Sequence, residues 1–305
     1  MVKLRSPYTT ISQSLMRLTD IYEDYREGKI MKNMLKPVKR SHLRRIIGMT
    51  YYSIKRYLKW ISLAGRFSHT YNPEPLGYLY FLHQTPLIRK LKDADMWMQQ
   101  NKKVNLKIAA SIVDGITIAP GEIFSYWRLI GRTTRRKGYL PGMILRNGEI
   151  CSGIGGGLCQ LSNLIFWMAI HTPLTVIERH RHGYDVFPDS DRTQPFGSGA
   201  TCFYPHGDLM IRNDTPNTYQ IKVSLNQTYL YGEIRCDVPE TVHYRIVERN
   251  HRIDSTWWGG YLRHNELYQQ TIDVDGRIFK EQLIVENDAI MMYSPLIKSG
   301  DSNSI

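Results

Sequence analysis

The stretch of this chain richest in potential chemistry is Gly153-Ile-Gly155-Gly156-Gly157-Leu-Cys159-Gln160-Leu-Ser162. Consecutive glycines permit positive φ and let the backbone come close to another group. They lead into an apolar run, Leu158 to Ile170, that reads as a buried helix stopped by Thr172-Pro173. Cys159 then falls in the first helical turn. Free N–H groups and the positive end of the helix dipole favour thiolate over thiol there, so a lowered pKa is expected. The same N–H groups, with the Gln160 side chain, are placed to donate to an oxyanion.

A thiolate nucleophile needs a base. Glu178-Arg179-His180-Arg181-His182 closes the extended run that follows the helix. Alternation turns His180 and His182 to one side and Arg179 and Arg181 to the other, so either histidine can face Cys159. The same residues also allow a plainer reading. A cysteine after a glycine turn serves as a small packing residue, and paired histidines satisfy backbone carbonyls. A zinc set of Cys159, His180 and His182 with Cys151 or Cys202 lacks the paired Cys-x-x-Cys spacing, so no metal site is expected. A phosphate cradle lacks both the Walker lysine and the dinucleotide-binding spacing, and no cofactor is expected.

Stepping outward, the elements that must hold these residues are mostly strands. Val104 to Asp114 reads as a helix closed by Gly115. Ile116 to Phe124 reads as two extended runs about Pro120-Gly121, and Met143 to Ile150 as a hairpin on Asn147-Gly148. Thr175 to Glu178, Ala200 to Tyr204, Leu209 to Arg212, Tyr219 to Leu225 and Tyr229 to Cys236 read as strands. A further hairpin turns at Asp275-Gly276. The expected fold is α+β: an antiparallel, β-rich core, a buried helix starting at the Gly-rich loop, and a basic helical N-terminal region. The expected divisions are residues 1–73 (basic, amphipathic, helical), 74–240 (the α+β domain) and 241–305 (a hairpin-rich segment packed on the core), with Tyr71-Asn-Pro-Glu-Pro75 at the first boundary.

Charge follows the same division. The formal net charge is +12, yet residues 1–71 hold 15 Lys or Arg against four acids, a net of +11, and the rest is near neutral. Ile11, Leu15, Leu18, Tyr22 and Tyr25 share one helical face. Ile47, Ile54, Leu58 and Ile61 form another stripe, with Lys55, Arg56 and Lys59 turned away from it. That pattern suits an anionic membrane surface contacted through residues 29–66. It equally suits a helix docked on its own body with the basic face in water. Nucleic acid is disfavoured because no recognition motif accompanies the charge. No segment reads as a signal peptide or a transmembrane helix, and four cysteines in a chain of this length suit a reducing compartment. The expected location is cytoplasmic, peripheral at the inner membrane face.

Taken together, Pro120-Gly121-Glu122-Ile-Phe124-Ser125, the Gly153 to Ser162 segment, Glu178 to His182 and Asp208 to Thr215 resemble the VanW family over roughly residues 101–236. The resemblance implies a cell-envelope and peptidoglycan setting, with a connection to vancomycin resistance, and no established reaction. The family's motifs fall on Gly155, Gly156, Gly157, Cys159 and Gln160, on Pro120, Gly121 and Glu122, and on His182 more securely than His180. Where family members read Asp-Ala-Thr, this chain reads Gly199-Ala200-Thr201. If that Asp orients a base, Asp185 or Asp208 must replace it here. Two readings stay open. In one the chain is an accessory binding protein, with Gly155, Gly156, Gly157, Arg212 and Asn213, beside Glu122 and Ser162, holding an anionic peptidoglycan precursor. In the other it is an acyl or amide transferase or hydrolase using Cys159, His182 or His180, and Gln160.

Overall fold

The structure, a computed structural model, describes residues 41–88, 96–146, 149–181, 183–186, 194–256 and 259–293. The stripe from Ile11 to Tyr25, the Asn147-Gly148 turn and His182 lie outside them. The chain divides into two compact units, Met1–Met49 and Thr50–Ile305. The described helices are α1 (His42–Ser62), α2 (Met96–Val113), α3 (Tyr126–Ile130) and α4 (Cys159–Ala169). The strands are β1 (Tyr78–Pro86), β2 (Ile116–Ile118), β3 (Ile123–Ser125), β4 (Pro141–Arg146), β5 (Glu149–Ile154), β6 (Thr175–Glu178), β7 (Tyr184–Asp185), β8 (Met210–Arg212), β9 (Tyr219–Leu225), β10 (Tyr229–Cys236), β11 (His243–Ser255), β12 (Tyr261–Ile272) and β13 (Ile278–Met291). Among the described residues this is an α+β fold whose strand-to-strand pairings are antiparallel except for β13 with β7.

One sheet runs β1-β10-β9-β2 and a second β3-β8-β6, while β4 and β5 form a separate hairpin. Helix α4 lies against β1 and β10. Leu161, Leu164, Ile165, Phe166, Met168 and Ala169 are all buried, because a helix apolar on every side must sit inside the core. Gly232 on β10 makes room for it, since a Cβ there would lie 2.6 Å from Met168 Cε. Leu106, Ala109, Ala110 and Val113 of α2 close the other side of the core. Long strands β11, β12 and β13 form the third sheet, with the Asp275-Gly276 turn closing β12 to β13 through Asp273 N–H to Arg277 O at 3.0 Å. Ala119, Pro120, Gly121 and Glu122 make the expected turn between β2 and β3: Gly121 has φ of 78° and Glu122 N–H donates to Ala119 O at 3.0 Å.

Two local expectations are corrected. Ala200 to Tyr204 is not a strand. Its backbone groups bond one at a time to different elements: Ala200 N–H to Asn163 Oδ1, Thr201 N–H to His180 O and Phe203 N–H to Gly207 O. The alternative in which α1 docks its apolar stripe on the body with the basic face in water also fails within residues 50–62. Arg56 and Trp60 are buried, and Lys59 reaches Glu178 from the margin of the contact, whereas Ile54, Leu58 and Ile61 are 55%, 61% and 70% exposed. A buried carboxylate, Glu178, draws the cations inward and outweighs the apolar stripe.

Candidate functional site

Cys159 is the first residue of α4, as the sequence suggests, but its environment differs from the expected one. No side chain caps the helix at Leu158. The Cys159 thiol instead donates to the Cys202 carbonyl at 3.6 Å, and burial pushes its pKa up. The thiolate-favouring field expected at a helix start is outweighed by desolvation of the sulfur. Burial raises the Cys202 thiol as well. Both cysteines are therefore held as neutral thiols at neutral pH.

Gln160 does not aim at an oxyanion. Its amide donates to Thr85 Oγ1 and Pro86 O, both at 2.9 Å, which ties α4 to the end of β1. Ser162 donates to Ala200 O at 2.6 Å and to Cys159 O at 3.1 Å, and is fully buried. The Gly-rich loop is likewise closed. Gly155 N–H donates to Leu140 O and Gly156 N–H to Gly153 O, each at 3.0 Å. Asn105 on α2 clamps the loop by donating to Gly156 O at 2.9 Å. A Cβ on Gly156 would lie 2.1 Å from the Gly142 carbonyl carbon, so glycine is required here for backbone packing against β4. The glycine run that reads as an anion cradle is a packing joint.

His180 is turned to Glu178, with Nε2 to Oε1 at 3.0 Å, and its carbonyl accepts Thr201 N–H at 2.8 Å. Among the described residues no hydrogen bond joins Cys159 to a histidine. Arg179 and Arg181 face the other way, as alternation requires. Their guanidinium groups lie 4.7 Å and 4.8 Å from the ring centroids of Phe166 and Phe196.

The cluster that sequence reasoning did not assemble is centred on Glu178. Its carboxylate takes Arg56 and Lys59 from α1 along with His180, and accepts the Asp208 N–H at 3.4 Å. Burial alone would raise the Glu178 pKa. Hydrogen bonds from His180, Arg56 and Lys59 overcome that and hold the carboxyl well below the usual range. Arg56 also donates to His206 O at 2.7 Å. The rings of His180, Phe203 and His206 follow one another at 5.5 Å and 4.9 Å, and Tyr52 stands 6.0 Å from His206. Burial, then the charges of Arg56 and His180, lower the pKa of His206. The signal for this cluster was present in the Glu178 to His182 run. What hid it was the assumption that Arg56 and Lys59 face water.

Asp208 is buried and anchors α3, accepting from Ser125 Oγ at 2.5 Å and from Trp127 N–H at 2.9 Å. Burial raises its pKa to about 6, against those hydrogen bonds. Asp185 accepts from Arg263 at 3.3 Å and from Tyr293 at 2.9 Å. On the far side of β6 a cavity of about 610 Å³ opens between α4 and the third sheet. Phe166, Leu174, Val176 and Val285 are among its walls, and Glu178, Arg179 and Lys280 also line it.

Residues 101–235 match the family model described as VanW like protein. The chain is 38% identical over 235 residues, 77% of its own length and 85% of the relative's, to the vancomycin B-type resistance protein VanW of Enterococcus faecalis. The chain belongs to the VanW family. It is also 32% identical over 114 residues to the uncharacterized protein YoaR of Bacillus subtilis, covering 37% of this chain and 36% of that one. No solved structure matches. Among the described residues no helix is long and apolar enough to cross a membrane.

Two VanW motif segments meet in one place. Gly121 N–H donates to Asn213 O at 2.8 Å and Asn213 N–H to Glu122 O at 3.0 Å. Glu122 Oε2 accepts Ala119 N–H, while buried Asn213 donates to Ile118 O and Asn217 O. Glu122 and Asn213 thus brace the turn that aligns β3 with β8. Arg212 beside them is held by Asp214 at 2.5 Å. At the VanW position where this chain has Gly199, an added Cβ would lie 2.7 Å from Asn163 Oδ1, the atom that accepts Ala200 N–H. Glycine there keeps Asn163 on the Ala200 backbone.

Proposed function

We propose that this VanW-family chain is an accessory binding protein of the cell envelope that recognises a peptidoglycan precursor without transforming it. The observation that carries this reading is the hydrogen bond of the Cys159 thiol to the Cys202 carbonyl at 3.6 Å. A neutral thiol bonded to a carbonyl, beside a glutamine and a serine already committed to backbone groups, is poorly prepared for nucleophilic attack. The name of the Enterococcus relative supports the envelope setting. Since Gly155, Gly156 and Asn213 already spend their polar groups within the fold, the precursor is better accommodated along β6. There the cavity offers a wall of Phe166, Leu174, Val176 and Val285 with the cation Lys280 at its edge.

Calorimetric titration with a nucleotide-linked muropeptide tests the reading. Saturable binding that is unchanged in Cys159→Ala and weakened about tenfold in Lys280→Glu is expected. No heat at millimolar precursor, or turnover of the precursor that Cys159→Ala abolishes, overturns it.

The second reading, a Cys–His acyl or amide transferase or hydrolase, is favoured by one observation. The Cys202 segment that receives the Cys159 thiol is hydrogen-bonded, through Thr201, to the His180 backbone. A ligand that displaced the Cys202 carbonyl would release the thiol on the side where the histidines run. In that reading Cys159 attacks an acyl carbon as a histidine takes its proton, the substrate's amine leaves with that proton as the acyl-thioester forms, and water or a second amine then releases the acyl group and restores the thiol.

A further inference from the structure

Helix α1 is docked the opposite way from a surface helix in a globular protein. Surface helices bury their apolar stripe and leave charge in water. Over residues 50–62, α1 buries Arg56 against Glu178, the His206 carbonyl and Met210, and seats Trp60 beside Tyr204. That leaves Tyr51, Ile54, Leu58 and Ile61 facing outward, each more than half exposed. Four large apolar side chains at spacings of three and four residues form one continuous stripe. The cation Lys55, also exposed, follows Ile54 and borders the stripe on the side away from Tyr57. Arg66 lies exposed just beyond the helix.

We infer that this outward face is a docking surface for an anionic lipid bilayer. The face lies in the interface plane, with its isoleucines and leucine among the acyl chains and Lys55 and Arg66 at the headgroups. Three observations select this occupant. The stripe is apolar at its centre and cationic at its border, which matches the boundary between acyl chains and acidic headgroups. The surrounding segment is strongly basic in sequence, with net +11 over residues 1–71, and among the described cations Arg56 and Lys59 are committed to Glu178. Nucleic acid would use the cations but would gain nothing from isoleucine and leucine. The ion pairs to Glu178 give the helix a fixed orientation, so the apolar face is presented before any membrane arrives. The inference stands independently of the precursor reading.

The test is co-sedimentation of the full chain with vesicles. Wild-type protein is mixed with phosphatidylcholine vesicles, or with vesicles containing one-third phosphatidylglycerol, at low and at half-molar salt. Binding to the anionic vesicles at low salt, weakened by salt and by omission of phosphatidylglycerol, is expected. The variant L58E/I61E changes only exposed side chains, so its thermal unfolding should match the wild type while its vesicle partitioning falls at least tenfold. Lys55→Glu should lower partitioning severalfold and flatten its salt dependence. The proposal is overturned if the wild type ignores both vesicles or if L58E/I61E sediments as well as the wild type. It is also overturned if that variant instead splits a dimer or frees residues 1–40 to proteolysis with vesicle binding intact.

Discussion

The start of α4 and the inner face of α1 are two junctions where a helix meets polar groups, and they are built on opposite logic. At α4 the residues that look reactive are quiet. Gly156 packs on Gly142, Gln160 ties down β1, Ser162 holds Ala200, and the Cys159 thiol stays protonated on a carbonyl. At α1 the residues that look like ordinary surface charge are the ones under tension. Arg56 and Glu178 are both largely buried, and each depends on the other to offset its desolvation. The difference teaches that a glycine-rich motif can mark a tight joint between backbones, and that a charge run can mark an interior contact. Which of the two a motif marks depends on where neighbouring backbone and counter-charge fall.

The comparison breaks most sharply at Gly156. An alanine there would place its Cβ against the Gly142 carbonyl group, where neither backbone can yield cheaply. Gly156→Ala should destabilise the protein by about 3–5 kcal/mol, at the upper end of single-residue effects. Denaturant unfolding followed by circular dichroism measures it. A midpoint within error of the wild type would mean that the loop is open enough to bind something, and the closed-joint description would be lost.

The α1 junction comes next. Glu178→Gln leaves Arg56 buried beside a neutral amide, and loss of one partner of a buried pair costs about 3 kcal/mol. The pH dependence has a definite sign. Glu178 has a folded pKa below its unfolded value, so its contribution is present above the ordinary carboxylate range and fades as pH falls through the folded pKa. Glu178→Gln should therefore lose most stability at neutral pH and little in strong acid. The double variant R56M/E178M should recover much of the loss at neutral pH. Equal losses at both pH values would show that the stabilisation does not come from the ionised carboxylate.

This contrast also explains what could be read in the chain beforehand. Strands β9 and β10, the Pro120-Gly121 and Asp275-Gly276 turns and helix α4 are legible because local pattern and tertiary role agree there. Strand β1 was missed: it lies on the sheet edge and its two faces are unevenly exposed, which blurs the alternation. The irregular path of Ala200 to Tyr204 was missed because its backbone bonds are made to Asn163, His180 and Gly207, partners that no local window contains. At the site, residue types were legible and their pairings were not. Cys159 and His180 were singled out, yet the partner of one is a carbonyl and that of the other is Glu178. The inward turn of Arg56 depends on a carboxylate 122 residues away.

The smallest expected effect is at Cys159 itself, and it discriminates most finely between the two junctions. Cys159→Ser keeps a donor of similar reach for the Cys202 carbonyl and loses little buried apolar volume, so stability should change by less than about 1 kcal/mol. Reactivity is the sharper readout. With the thiol pKa raised by burial, alkylation of native Cys159 by iodoacetamide should be slower than alkylation of the unfolded chain at every pH from 6 to 9, with no plateau on the acidic side. Mass spectrometry after limited labelling separates Cys159 from Cys151, Cys202 and Cys236. A rate that levels off near neutral pH, and that His180→Ala lowers, would place a charged thiolate at the start of α4. The quiet junction would then be the reactive one, and the glycine joint would serve to hold a nucleophile rather than only a helix.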